Sequence, residues 1–467
     1  MNLIHESFLS WLHQQRYHER LSNYSIYDAY YNGDHTVDIP PKVKAALESE
    51  LGTVNNYCRV VVDSAVEYIS SGELGIEVKH DGTNQAEADK AERLLYDVYE
   101  SNGLLFEELL KAITVMGKKG DAFLKLYVEN DEIKIRILRP EICFPRYRSD
   151  DYKEMIYCAV QWFDEDSLLV PSSNGRKENN GKKWKAQVFR SNVVEYYELV
   201  DNSGIIDPFQ PFQRSEWKLM DVQDNILGFI PIIHIKNTLD DLEFGVSDLQ
   251  VMIDLQDALN KILTDMLLTM DNQAFQRIVM FGAQTPKGQK ISMEPGSIIE
   301  VPNENGSLQV VNASDIAPFI QAMDKIVDQI CTVTSIPKTV FSKSDGGSVS
   351  GYALRLHYLP LEHKCKRKEI ILKNRLCELN KMIFKTAKLL GMDDYTGFKT
   401  RMQFNGGLPI DEQTQAQVHE MELRNKIKSR RKIMEERGIE DIEAEMAQIN
   451  TELQADLVPQ SNERIET

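Results

Sequence analysis

The sequence predicts an α+β chain that is largely helical, and three observations carry that prediction. Apolar residues recur at helical spacing through most of its length. In one central block, AFLKLYVENDEIKIRIL (122–138), the period drops to two. At 467 residues the chain also exceeds what one ordinary core serves, so roughly two to four structural units are expected.

Residues 3–31 read as an aromatic-rich helix that stops at YYNGDH, where Asn32-Gly33 signals a turn. Short helices follow near 41–50 and 56–70. In NYCRVVVDSAVEYIS, Val61, Ala65 and Tyr68 fall on one stripe. Helices near 84–101 and 104–117 precede the alternating block. That block reads as a hairpin around Asn130-Asp131, with Ile133, Ile135 and Ile137 on one face and Lys134 and Arg136 on the other. Further strands are expected near 154–163, 185–200 and 226–236. The polar run SSNGRKENNGKKWK (172–185) reads as a surface loop, so residues 1–240 make an α+β unit.

The second half is built differently. DLQVMIDLQDALNKILTDMLLTMDNQA (248–274) is a helix of about 40 Å with Met252, Leu255, Leu259, Ile262, Met266 and Met270 on one stripe. Asp254, Asp257, Lys261 and Asp265 take its far side. A compact β segment follows at 276–312, with RIVMF, SIIEV and LQVVN as strands. A second helix, 315–336, has Ser314 or Asp315 as cap and Pro318 in its first turn. Its stripe is Phe319, Met323, Ile326, Ile330 and Val333. Then SKSDGGSVSGYALRL (342–356) interrupts two good helices with small and flexible residues. A third helix spans 351–390, and charged helices near 411–436 and 440–454 lead to a polar tail.

Helix, small β module and returning helix make a long hairpin with two apolar stripes. Two arrangements would cover them: packing against the first 240 residues, or neighbouring copies side by side, which by symmetry gives a ring.

Composition excludes several classes. Hydrophobic residues at 42% and charged residues at 27% describe a folded soluble protein. No apolar run approaches the roughly 18–20 residues that cross a bilayer. The start, MNLIHESFLSWLHQQRYHER, lacks a basic segment and a cleavage site, so no secretory signal or membrane partner is expected, and the chain should stay in the cytoplasm. The six cysteines (58, 143, 158, 331, 365, 377) lack metal-like spacing and read as buried free thiols. Net charge is −18, yet residues 351–390 carry ten Lys/Arg against three Glu. On charge alone that basic helix reads equally as a solvated face or as a nucleic-acid contact, and between DNA and an acidic neighbour the neighbour is favoured.

No catalytic pattern emerges. Gly175 to Lys183 has the wrong spacing for a phosphate loop and lacks its Ser/Thr. GSVSG (347–351) places Val349 where a nucleophile elbow needs serine. His357, His363 and Cys365 do not share a helical face. The acid pairs Asp150-Asp151 and Asp240-Asp241 read as loop solvation, although a carboxylate site assembled by the fold stays open. No enzyme activity, cofactor or metal is therefore expected.

The order of segments resembles the portal, or head–tail connector, proteins of tailed double-stranded-DNA bacteriophages, in particular the siphophage type from Gram-positive hosts. The likeness covers roughly residues 24–450. YYNGDH is similar to the family's opening motif. NYCRVVVDSAVEYISSG, GDAFLKLYV and LRPEICFPRY resemble its wing segments, and FGVSDLQVMIDLQDALNKILTDM its first stem helix. SGYALRLHYLPLEHKCKRK resembles the tunnel loop running into a long helix, and LPIDEQTQA the start of the crown. Tyr352 is bulkier than the residue the family pattern has there, and 172–185 has no counterpart.

The resemblance implies a wing (1–247), a first stem helix (248–275), a clip (276–312), a second stem helix (313–336) and a tunnel loop (337–350). A long wing helix with its return (351–404), crown helices (405–454) and a polar tail (455–467) complete it. It implies a ring of about twelve copies at one capsid vertex, assembled in the host cytoplasm and carried in the virion. The terminase large subunit, head–tail adaptor proteins, and major capsid and scaffolding proteins would be partners, with double-stranded DNA passing through. Met252, Leu255, Leu259, Ile262, Met266, Phe319, Met323, Ile326 and Ile330 would form the subunit interface of the stem. Lys287, Lys290, Glu294 and Glu304 would present the clip to terminase or adaptors. In the tunnel loop, Lys338, Lys343, Ser344, Asp345, Gly346, Gly347, Ser348, Val349 and Ser350 would face DNA, pliant and only briefly in touch with phosphates. The alternative is an oligomeric minor capsid or adaptor scaffold that conducts no DNA.

Overall fold

The computed structural model describes residues 15–35, 55–79, 85–164, 183–201, 215–238, 240, 242–274, 278–281, 307–310, 315–341, 351–406, 412–437 and 442–456. Two compact units divide the chain: residues 1–349 with 353–407, and 408–467 with 350–352. Helix and antiparallel sheet are mixed in the first, and the second is helical among the described residues.

The larger unit opens with helices α1 (Gln15–Asn32), α2 (Tyr57–Ser70), α3 (Gln85–Ser101) and α4 (Glu107–Lys119); α1, α2 and α4 pack on one another, and α3 packs on strand β1 (Leu74–Lys79). Local chemistry fixes their ends. The Asn56 side chain accepts the Arg59 N–H at 3.1 Å to cap α2. Gly120, at φ 87°, closes α4 in the left-handed region that glycine enters without cost.

Strands β2 (Asp121–Glu129) and β3 (Glu132–Leu138) form the expected hairpin. Its two-residue turn puts Asn130 and Asp131 at φ 52° and 61°, the conformation matched to strand twist. A five-stranded antiparallel meander comprises β4 (Cys143–Tyr147), β5 (Met155–Asp164), β6 (Lys183–Phe189), β7 (Val193–Asp201) and β8 (Ser215–Asp224). Strand β9 (Ile232–Lys236) pairs with β2.

Two strand expectations change here. The segment at 185–200 is two strands, because the chain reverses at 190–192 so that β6 and β7 pair. The strand expected over 226–236 begins only at Ile232. Before it, the Asn225 side chain bonds the carbonyls of Arg190 and Phe229 and holds a turn through Gly228.

Helix α5 (Ile253–Ala274) leads to β10 (Ile278–Phe281), which pairs with β11 (Ser307–Val310) before helix α6 (Ala317–Thr334) returns. A four-residue helix α7 (Lys338–Phe341) precedes the 39-residue α8 (Gly351–Leu389), and β12 (Lys399–Phe404) then pairs with β1. The SIIEV strand, the helix near 41–50 and most of 172–185 lie outside the described residues.

One apolar core runs from Tyr24 to Met402. Helix α8 threads it, burying Leu361, Cys365, Leu372, Leu376, Leu379, Ile383 and Phe384. A smaller cluster around Trp217 lies on the five-stranded sheet. All six cysteines are free, and burial pushes the thiols of Cys58, Cys158 and Cys365 up to about 12, so they behave as packing residues.

In the smaller unit the helix expected over 411–436 is broken. Helix α9 (Glu412–Arg424) ends where Lys426 takes φ 56°, and the N–H of Ile427 returns to the Glu422 carbonyl. Ser429 then caps α10 (Arg430–Glu436) through the Lys432 N–H, and α11 (Ile442–Asp456) follows.

Candidate functional site

The hairpin made by α5 and α6 is the feature on which a ring would turn, and its burial is graded. At the root, Met252, Leu259 and Ile330 are fully buried in the main core, and Leu255, Met323 and Ile326 pack at its edge. Farther out, Ile262, Met266 and Phe319 are half-buried, and Met270 is 44% exposed. Val327 takes the inward position on α6, while Val333 points outward. Packing against the first 240 residues therefore covers the root of the stripes and leaves the outer half incompletely covered.

Polar ties hold the root. Tyr30 donates its hydroxyl to Asp257 at 2.7 Å, which corrects the expectation that this carboxylate sits on the far side of the helix. Burial, reinforced by Asp257, raises that phenol well above its usual range. The Gln256 amide donates to the Asn55 carbonyl at 2.5 Å and accepts the Tyr57 N–H at 3.0 Å. Asn260 accepts the Asn55 N–H at 3.1 Å and lies 2.8 Å from His35 Nδ1. Gln256 and Asn260 share a face with Met252 and Leu259. Two amides inside an apolar stripe are the sign in the sequence of a buried polar seam, which the apolar spacing alone does not reveal.

After α6, Ser335 turns at φ 61° and Ile336 is inserted into the core. The segment expected to be loop from 337 is thus first an anchor and a helical turn, with Phe341 4.9 Å from the ring of Tyr57. Lys338 belongs to that turn and bonds Asp328 at 2.8 Å, so it is not a loop residue. Lys343, Ser344, Asp345, Gly346, Gly347, Ser348, Val349 and Ser350 lie outside the described residues, as do Lys287, Lys290, Glu294 and Glu304. The 342–350 segment joins α7 to α8, both of which contribute to the core.

The basic segment 351–390 is largely satisfied within the chain. Lys368 Nζ lies 2.7 Å and Lys364 Nζ 3.4 Å from the buried carboxylate of Asp248, which pins α8 to the segment entering α5. Burial would push the Asp248 carboxyl up, but the two ammonium groups outweigh it and hold it below the ordinary range. Lys366 pairs with Glu362, Lys373 with Glu369, Arg375 with Glu378 and Lys388 with Asp394. Lys385 lies over the Phe229 ring. Arg355, Arg367 and Lys381 are exposed, with no ion pair among the described residues. A lysine inside an apolar stripe, as at Lys368 between Cys365 and Leu372, was again the legible sign.

Cys365 is buried against the Ala65 carbonyl while His357 and His363 are exposed, so these three do not converge. Among the described residues no three His, Cys, Asp or Glu side chains are placed to hold a metal ion. No described helix is long and apolar enough to cross a membrane.

The family model described as "Phage portal protein, SPP1 Gp6-like" matches residues 13–457. The portal protein of Mycobacterium phage D29 is 24% identical over 189 residues, 38% of each chain. That of Mycobacterium phage L5 is 26% identical over 157 residues, 31% of this chain and 32% of its own length. The alignments thus span about a third to two-fifths of those relatives. A chain of the solved structure titled "Neck of empty GTA particle computed with C6 symmetry" is similar at 14% identity and a TM-score of 0.46, over 85% of this chain and 93% of that one. With its match running over nearly the whole length, the chain belongs to the SPP1 Gp6-like family of phage portal proteins.

Proposed function

We propose that about twelve copies of the chain close into a ring around a central channel at one capsid vertex. Double-stranded DNA enters through it under the terminase motor and leaves through it at ejection, and head–tail adaptors later dock on the ring. Capsid and scaffolding proteins surround it during assembly in the host cytoplasm. Each subunit contributes a wing (1–247 and 351–404), a stem (248–275 and 313–336), a clip (276–312) and a crown (405–454). No step in this function asks the chain for a cofactor or for catalysis.

Membership of the portal family over residues 13–457 carries the proposal. The half-covered outer stripe, with Met266 and Phe319, supports lateral contact between stems. Residues 342–350 supply the loop facing DNA, a nine-residue run of mostly Gly and Ser between two anchored helices. Lys343 and Asp345 there offset each other.

Mass measurement with face-on imaging of the purified assembly tests the ring. The expected result is a closed ring with a central hole, and a monomer at every concentration and salt overturns it. Cutting the loop to two residues tests the channel. Rings without DNA-filled heads are expected, whereas filled heads at the normal yield would assign the protein a scaffold role.

A further inference from the structure

A cavity of about 380 Å³ opens between α8, the end of α6 and the segment leading into α5. Its floor holds Lys364 and Lys368, which share the single carboxylate of Asp248 and leave one net positive charge there. Its rim carries Val251 and Val333, 55% and 47% exposed, the exposed Arg367, which has no ion pair among the described residues, and the exposed carboxylate of Asp240. Two bare aliphatic walls and one uncommitted guanidinium call for an occupant with an aliphatic side chain beside a carboxylate.

The chain displays such a pair. On α6, Ile320 is 48% exposed, and Asp324, one turn on, is exposed with no ion pair among the described residues. Asp324 and Val333 are nine residues apart, about 900° of helical rotation, so they point to opposite sides of α6. A subunit with a cleft on one side and a matching edge on the other makes a head-to-tail contact, which gives a ring where the rotation between copies closes and an open filament where it does not.

We propose that the Ile320–Asp324 edge of one copy seats in the Val251–Val333–Arg367 cleft of the next, with the Asp324 carboxylate on the Arg367 guanidinium. This names the contacting faces of the ring proposed above and rests on that reading.

Charge exchange tests it. Arg367→Glu and Asp324→Arg are each expected to lower the ring fraction in native mass spectra at least about tenfold. The double variant, in which every interface carries the swapped pair, is expected to recover to within about threefold of the wild type. Thermal melts confirm that each variant is folded, and Arg367→Gln, with a smaller expected loss, replaces Arg367→Glu if that chain is destabilised. Wild-type ring yield from Asp324→Arg, or folded single variants that the double exchange does not rescue, overturns the docking alone. A wild-type chain that never forms rings overturns the channel as well.

Discussion

Asp121 is fully buried, and three donors converge on it: the Tyr24 hydroxyl, the Gly245 N–H at 2.7 Å and His234 Nε2 at 2.7 Å. With Nε2 donating to the carboxylate, Nδ1 of His234 accepts the Tyr147 hydroxyl at 2.5 Å. The imidazole also stacks on Phe123, at 4.2 Å between ring centres. Burial lowers its pKa below the usual 6.5 and outweighs the pull of Asp121, while the charges of Lys236 and Arg20 push the same way. Below pH 6.5 the unfolded chain therefore binds more protons than the folded one, and this site loses stability as the pH falls. Thermal melts should drop between pH 7 and pH 5, and His234→Gln, which keeps one donor and one acceptor, should flatten the drop; equal slopes for both proteins would contradict the assignment. Only half of this network was legible. A histidine among isoleucines in IIHIK announces a polar group in an apolar strand, but nothing in the sequence says that its partner lies 113 residues away.

Elements with long periodic patterns were readable because many positions vote together. The β2–β3 turn, α5, α6 and α8 lie close to where apolar spacing placed them. Strands β1 and β12 were not expected: each is six residues long, and Leu74 pairs with Phe404, a choice that only the assembled core makes. The same holds where the segment before α5 crosses the end of α4. A methyl on Gly245 would lie 1.9 Å from the Gly120 carbonyl oxygen and 2.7 Å from the Asn237 nitrogen, and backbone cannot swing aside. Gly245→Ala should cost more than about 2 kcal/mol in urea unfolding, and a wild-type midpoint would refute that close approach. The hairpin separates two roles along one stripe. Leu259→Ala, at a fully buried position, should cost the dissociated chain about 3 kcal/mol. Met266→Ala should cost it under about 1 kcal/mol yet reduce ring formation, since Met266 is only half-buried in the single chain. Equal stability losses at the two positions would mean that the outer stem is already enclosed.

The charge of the whole chain bears on how it would treat DNA. At −18, with most of the cations in 351–390 held by carboxylates of the same chain, the described residues offer no broad cationic surface. Duplex is gripped through rows of Lys and Arg that release counterions from phosphate, with log K falling by about 0.9 per log unit of salt for each phosphate neutralised. In the proposed channel, a wall of such subunits would let duplex pass because little in it could hold on. Adding cations to the proposed loop should convert passage into capture. With Ser344→Lys and Ser348→Lys together, purified rings should retain linear duplex at low salt and release it steeply as salt rises, whereas wild-type rings should show no such retention. Heads built on the variant should fill more slowly, because each step must break contacts that serine does not make. If the doubly charged loop neither retains duplex nor slows filling, residues 342–350 do not face the DNA, and the assignment of that segment to the channel wall fails while the ring itself can stand.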